Sequence, residues 1–180
     1  MDSIIRGANW YCGEINQRQR VDETTLPVLR REMIPMVMGG GWFGFELPAE
    51  IQPLTCEMSV NGVHSDLKTR FGREPGDWTT MAYYEALMNV FPASTGEITT
   101  SGAPQLKGRT VILKGLLNDF EQGGVKGQKS SSATKLRLSS IVLYQDMMDG
   151  KVIHKFDIQN NILIIDGINY TAEYNQLISA

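Results

Sequence analysis

The stretch ATKLRLSSIVLYQDMMDGKVIHKFDIQ, residues 133–159, decides the fold. Leu136, Leu138 and Val142 fall on one side of an alternating pattern, and Lys135, Arg137 and Ser139 on the other. Successive side chains of a strand point to opposite faces, so this alternation marks a half-buried strand. A second run repeats it, with Val152, Phe156 and Ile158 opposed to Lys155, Asp157 and Gln159. Between the runs stands Asp149-Gly150, a pair that accepts positive φ and makes the turn whose twist matches that of paired strands. The spacing predicts a β-hairpin.

The same reading extends in both directions. Downstream, residues 161–165 make an apolar run ending at a second Asp-Gly, Asp166-Gly167, and residues 172–179 predict a short terminal helix. Upstream, residues 109–118 carry Val111, Ile112, Leu113, Leu116 and Leu117 and predict a strand. Residues 50–61 alternate cleanly: Leu54, Cys56, Met58 and Val60 face one way, Thr55, Glu57, Ser59 and Asn61 the other. Residues 24–38 look extended, but Pro27 and Pro35 place them at a bulge, a bend or an edge. Val63, Leu67 and Phe71 recur at helical spacing. Residues 79–90 suit either element: Met81, Tyr84, Leu87 and Met88 could form a helical stripe, whereas Tyr83 and Tyr84 favour a strand. Turn signals between short apolar runs make the chain mainly β. Strands polar along one face leave that face to water or another subunit, and long strands leave edges that pair with another chain unless a barrel closes them.

Composition bounds the function. A chain of 180 residues fits one domain, or one domain with an arm, and 42% hydrophobic content suffices for a core. A net charge of −3 argues against a protein that grips nucleic acid through a basic face, while leaving room for a surface that nucleic acid slides past. The N-terminus lacks a basic start followed by an apolar core, and no apolar run approaches the ~20 residues of a membrane span, so folding in a reducing cytoplasm is expected. Cys12 and Cys56 have no metal-ligand spacing and make no disulfide scaffold. Cys56 lies in an apolar row and reads as packing; the pattern around Cys12 leaves its exposure open. Residues 124–130, GVKGQKS, lack the Gly-Lys-Ser/Thr adjacency of a phosphate loop. His64 and His154 read as structural, and Asp146, Asp149, Asp157 and Asp166 as turn and edge residues. No nucleophile–base or metal set assembles, so neither an enzyme nor a cofactor is expected. Pattern alone leaves open a β-sandwich that binds a small ligand or glycan.

From residue 21 onward the chain resembles the major tail tube proteins of contractile-tailed (myovirus-type) phages and R-type pyocins. Residues 111–177 carry the resemblance most strongly: the step Lys114-Gly115, an acidic Gly-containing loop with Gly127-Gln128-Lys129, Tyr144 in the next strand, Asp149-Gly150, the step 156–160 (FDIQN), and Asp166-Gly167. Residues 25–47, TLPVLRREMIPMVMGGGWFGFEL, match an extended strand followed by a Gly-rich hairpin loop, and residues 55–71 match a strand and helix. The departures are an unusually aromatic loop at 39–45, an insertion at 98–104 and a loose match over the first 20 residues.

The resemblance implies residues 1–20 as an N-terminal arm or strand and 21–180 as one tail tube domain. It implies a β-sandwich or barrel-like fold with one short helix, whose inner sheet closes a multi-subunit barrel in a hexameric ring. Rings would stack inside a sheath as the channel for DNA ejection, in a virion tail assembled in the host cytoplasm. Expected partners are further copies of the chain and the sheath, tape measure, baseplate and tail terminator proteins, with DNA in transit and no membrane anchor. A type VI secretion tube protein is a close alternative. Candidates for the channel face are Thr55, Glu57, Ser59, Asn61, Lys135, Arg137 and Ser139, then Arg30 and Glu32. The loop at 39–48, with Gly41, Trp42, Phe43 and Phe45, is a candidate ring-to-ring contact, because exposed aromatics are sticky alone and typical anchors at interfaces. The long polar loop at 119–132, with Asp119, Glu121, Lys126 and Lys129, is a second candidate contact.

Overall fold

The computed structural model describes residues 3–37, 39–89, 106–124 and 133–178. In chain order these form β1 (Ser3–Cys12), β2 (Ile15–Asn16), β3 (Val21–Thr25), β4 (Arg31–Val37), β5 (Gly44–Ile51), β6 (Cys56–Asn61), α1 (Ser65–Lys68), β7 (Thr79–Asn89), β8 (Leu106–Gln122), β9 (Ala133–Met148), β10 (Lys151–Asp157), β11 (Ile162–Ile165), β12 (Ile168–Asn169) and α2 (Ala172–Leu177). The protein is mainly β, as expected, with two short helices among the described residues where the resemblance implies one. No described helix is long and apolar enough to cross a membrane.

Ten strands make one antiparallel sheet, and β4 and β5 form a separate two-stranded ribbon. The main path runs β12-β11-β10-β9-β8-β7-β1-β2. A branch leaves it at β9, whose residues 133–138 pair with β6 while residues 143–148 pair with β10. β6 carries β3 on its outer side. The hairpin expected at 149–150 is present: Met148 pairs with Lys151, and Asp149 and Gly150 take φ of 51° and 81°. Asp166 and Gly167 repeat the turn between β11 and β12, at 50° and 82°.

Alternation explains most of the burial. In β6, Cys56, Met58 and Val60 are buried between exposed or half-buried Glu57, Ser59 and Asn61. β7 resolves the ambiguous segment as a strand, burying Thr79, Met81, Tyr83 and Glu85. In β9 the buried row is Thr134, Leu136 and Leu138, until Ser140 takes φ of 48° and breaks the phase. Beyond that kink Ile141 and Tyr144 are buried, so Val142 is only half-buried. The neighbouring strand passes the kink at Gly115, where a Cβ would sit 2.7 Å from the Ser139 carbonyl oxygen and 3.3 Å from Ile141 Cα. Only glycine allows the two backbones to approach this closely.

The core gathers Trp10 from β1, Met58 from β6, Met81 from β7, Leu113 from β8 and Leu138 from β9. Trp10 Nε1 donates to Thr24 Oγ1 at 2.6 Å, tying β1 to β3, strands from separate arms of the sheet. Cys12 is buried, because its strand pairs with β7 and points it into this core. Leu67 of α1 is buried, but Val63 and Phe71 are 52% and 49% exposed, so no helical stripe packs there. Ile158 lies beyond the end of β10 and is exposed, not part of an apolar row.

Candidate functional site

Four adjacent strands, β3, β6, β9 and the outer half of β8, present one continuous polar face. Its residues are fixed by what the opposite face buries. With Cys56, Met58 and Val60 in the core, Glu57, Ser59 and Asn61 must point away; with Leu136 and Leu138 inside, Lys135 and Arg137 point away. In β8 the register slips between Leu117 and Asp119, which turns Phe120 toward the core and Asp119 and Glu121 outward. Asp119 and Glu121 are therefore strand residues of this face, and the loop expected at 119–132 starts later.

Register aligns the face into two rows. Thr25 pairs with Glu57, Glu57 with Arg137, and Arg137 with Asp119. Next to it, Glu23 pairs with Ser59, Ser59 with Lys135, and Lys135 with Glu121. Four carboxylates thus surround two cations, an excess of two negative charges. Opposite charges stand directly across strands, the arrangement that favours pairing. The Arg137 Nε to Glu57 Oε1 separation is 3.7 Å with both side chains solvated, so the pair adds little energy and the face remains a hydrated, mixed-sign surface. A shallow depression of about 270 Å3 lies over it, reaching both rows.

Both borders of this face are open among the described residues. β3 pairs only with β6. β8 pairs with β7 over residues 106–115, and past that point its outer edge meets only a bridge from Phe71 to Leu117. Glu23 and Thr25 of the border strand were not singled out in the sequence, because five residues reading VDETT carry no clear apolar alternation.

The remaining candidates lie elsewhere. Thr55 is half-buried just before β6, and Ser139 half-buried at the β9 kink. Arg30 is exposed between β3 and β4, its carbonyl accepting from the Gln52 amide at 2.9 Å, and Glu32 is exposed in β4. Both belong to the ribbon, not to the polar face. The aromatic loop is the end of that ribbon: Trp42 is 96% and Phe43 88% exposed, Gly41 is exposed beside them, and Phe45 sits in β5 opposite Met36. Lys126, Lys129 and residues 98–104 lie outside the described residues.

One charged cluster, with two buried carboxylates around a half-buried guanidinium, leaves no signal in the sequence. Arg109 Nη2 donates to Asp146 Oδ2 at 2.8 Å and Nε to Oδ1 at 3.0 Å, while Glu85 Oε2 lies 3.5 Å from Nη1. The Tyr144 hydroxyl also reaches Asp146 Oδ2, at 3.3 Å. The hydrogen bonds to Asp146 hold the guanidinium firmly in its charged form. Asp146 is therefore a buried ion-pair residue inside β9, not a turn residue. Both carboxylates face the guanidinium, a structural use of charge. Among the described residues no group of three or more His, Cys, Asp or Glu is placed to hold a metal.

The family described as phage tail tube protein FII matches residues 2–178. No curated protein matches the chain. Among solved structures, one similar chain comes from the cryo-EM structure of an extracellular contractile injection system, the PVC sheath-tube complex in its extended state. Its TM-score is 0.54 at 7% identity, over 79% of this chain and 87% of that one. A second, from the sheath/tube terminator of such a system, has a TM-score of 0.53 at 9% identity, over 79% and 93%. At these identities the likeness is one of fold.

Proposed function

The chain belongs to the phage tail tube protein FII family, and from that premise we propose that six copies close side by side into a ring whose bore is the face of β3, β6, β9 and the outer half of β8. It is a structural tail tube protein and not an enzyme. The observation that carries the ring is the pair of open borders. The four strands alternate in direction, each antiparallel to the next. With an even number, the first and last run opposite ways. Rotating a copy around an axis then sets β3 of one beside residues 116–122 of the next in antiparallel order. Pairing there satisfies exposed backbone groups and removes both edges.

The bore would be hydrated, mixed in sign and slightly acidic. DNA binds tightly where many Lys and Arg release its counterions. A lining in which acids outnumber bases offers no such grip, so a polyanion can pass. An injection device of the same plan would use the same tube for a different cargo. Stacked rings inside a sheath, filled during assembly by a tape measure protein and closed by terminator and baseplate proteins, complete the reading. The similar structures are a sheath-tube complex and a sheath/tube terminator, which supports those two partners.

Negative-stain microscopy of the purified protein tests it. Rings or tubes are expected; featureless monomers at high concentration would overturn it.

A further inference from the structure

We propose that the uncharged end of the β4–β5 ribbon of one copy seats in an apolar groove of a neighbouring copy, a contact that rests on the tube reading and names both of its surfaces. The ribbon needs cover. No charged residue occurs from Met33 to Phe45, and Ile34, Met36, Val37, Trp42 and Phe43 are all exposed. A two-stranded ribbon is marginal alone in water, and an apolar one gains most by burial against another surface.

The receiving groove, about 660 Å3, lies between the segment before β6 and the hairpin of β9 and β10. Leu54, Ile141, Val142 and Leu163 line it, together with Tyr144 and Phe156, whose rings stack at 5.5 Å. An apolar trough with an aromatic wall suits aromatic guests, each of which buries about 150–250 Å2.

A copy cannot fill its own groove. The groove begins at Ile51 and Leu54, the foot of the ribbon, where Ile51 pairs with Arg31. Trp42 and Phe43 are at the other end, past the Val37–Gly44 pair. At about 3.4 Å per residue the ribbon holds them roughly 20 Å away. Bringing them back would break the ladder. The donor must be a second copy. Ribbon end and groove are different patches, so each copy gives one and offers the other. Such head-to-tail contacts propagate rather than saturate, as an open-ended polymer requires.

Site-specific cross-linking tests the contact in the full chain. Gly39→Cys has open space for its side chain, and Ile158→Cys replaces an exposed groove residue, so both aromatics and the core stay intact. Cys12 and Cys56 are buried and should not react. Treating assembled double variant with a short bismaleimide should give a ladder of covalent oligomers, absent from either single variant. Gly39→Cys with Gln52→Cys, an exposed groove residue at its other side, is the second pair, leaves both aromatics in place and should give the same ladder. Tubes without a ladder from either pair overturn the groove contact and leave the tube reading standing. A ladder without rings or tubes supports the contact and overturns the tube reading. Neither ladder nor tubes overturns both.

Discussion

Gly115 shows how one residue fixes the shape of the whole sheet. It stands where the β9 kink at Ser140 presses backbone against backbone, and the family-like step Lys114-Gly115 has its physical reason there. Gly115→Ala should destabilise the fold by about 1–3 kcal/mol, the usual range for overpacking, as a lowered urea midpoint would show. Asp146→Ala removes the main partner of a half-buried guanidinium and should lower stability by about 3 kcal/mol. An unchanged midpoint would show that Glu85 alone suffices for Arg109. Burial pushes the Cys56 thiol from 9.0 up to about 12, with the Glu57 charge adding to it, and pushes Tyr144 from 10.0 up to about 12, with Asp146 adding. Both groups hold their protons more tightly folded than unfolded. Their contribution is therefore complete below pH 9 and lost as pH rises toward 12. The urea midpoint should fall across that window, and Cys56→Ala should flatten its lower part; a flat wild-type profile would contradict this. At this scale the sequence showed which way Cys56, Met58, Val60, Leu136 and Leu138 face, since neighbouring residues encode that. It could not show the kink at Ser140 or the bond from Arg109 to Asp146, because both depend on strands brought together from distant parts of the chain.

Among the elements, the strands with clean alternation and the Asp149-Gly150 turn were legible, because period and turn chemistry are local. β7 was not, since its aromatic and Met-rich sequence suits two periods until β1 and β8 pair with its edges. The polar face was half legible. Two of its strands, β6 and β9, were visible as polar rows, but β3 is too short to show a period, and a register slip hides the outward turn of Asp119 and Glu121. The ribbon is the element with least support inside its own copy. Replacing Trp42 and Phe43 by Ser touches nothing in the core, so the circular dichroism spectrum and melting temperature should hold while tube growth stops. Tubes of normal length from this variant would remove the ribbon end from the interface.

Taken as a molecule, the chain is a branched ten-stranded sheet over an apolar core, with a separate two-stranded ribbon and a charged face whose two borders lack strand partners among the described residues. Its acidic surplus is modest, so adding bases should change transport before it changes folding. Glu57→Lys with Glu121→Lys reverses the excess on the face. Rings of this variant should still form but retain DNA in a filter assay at low salt, with retention fading as salt rises. Wild-type rings that hold DNA equally well would show that these residues do not line the bore. How copies join decides whether the polar face lines a bore, and cryo-EM of the assembled protein, at a resolution that separates strands, examines it directly. It should show β3 of each copy hydrogen-bonded to residues 116–122 of the next, with Glu23, Glu57, Lys135, Arg137, Asp119 and Glu121 around the bore. A ring that turns this face outward, or leaves those two borders apart, would contradict it.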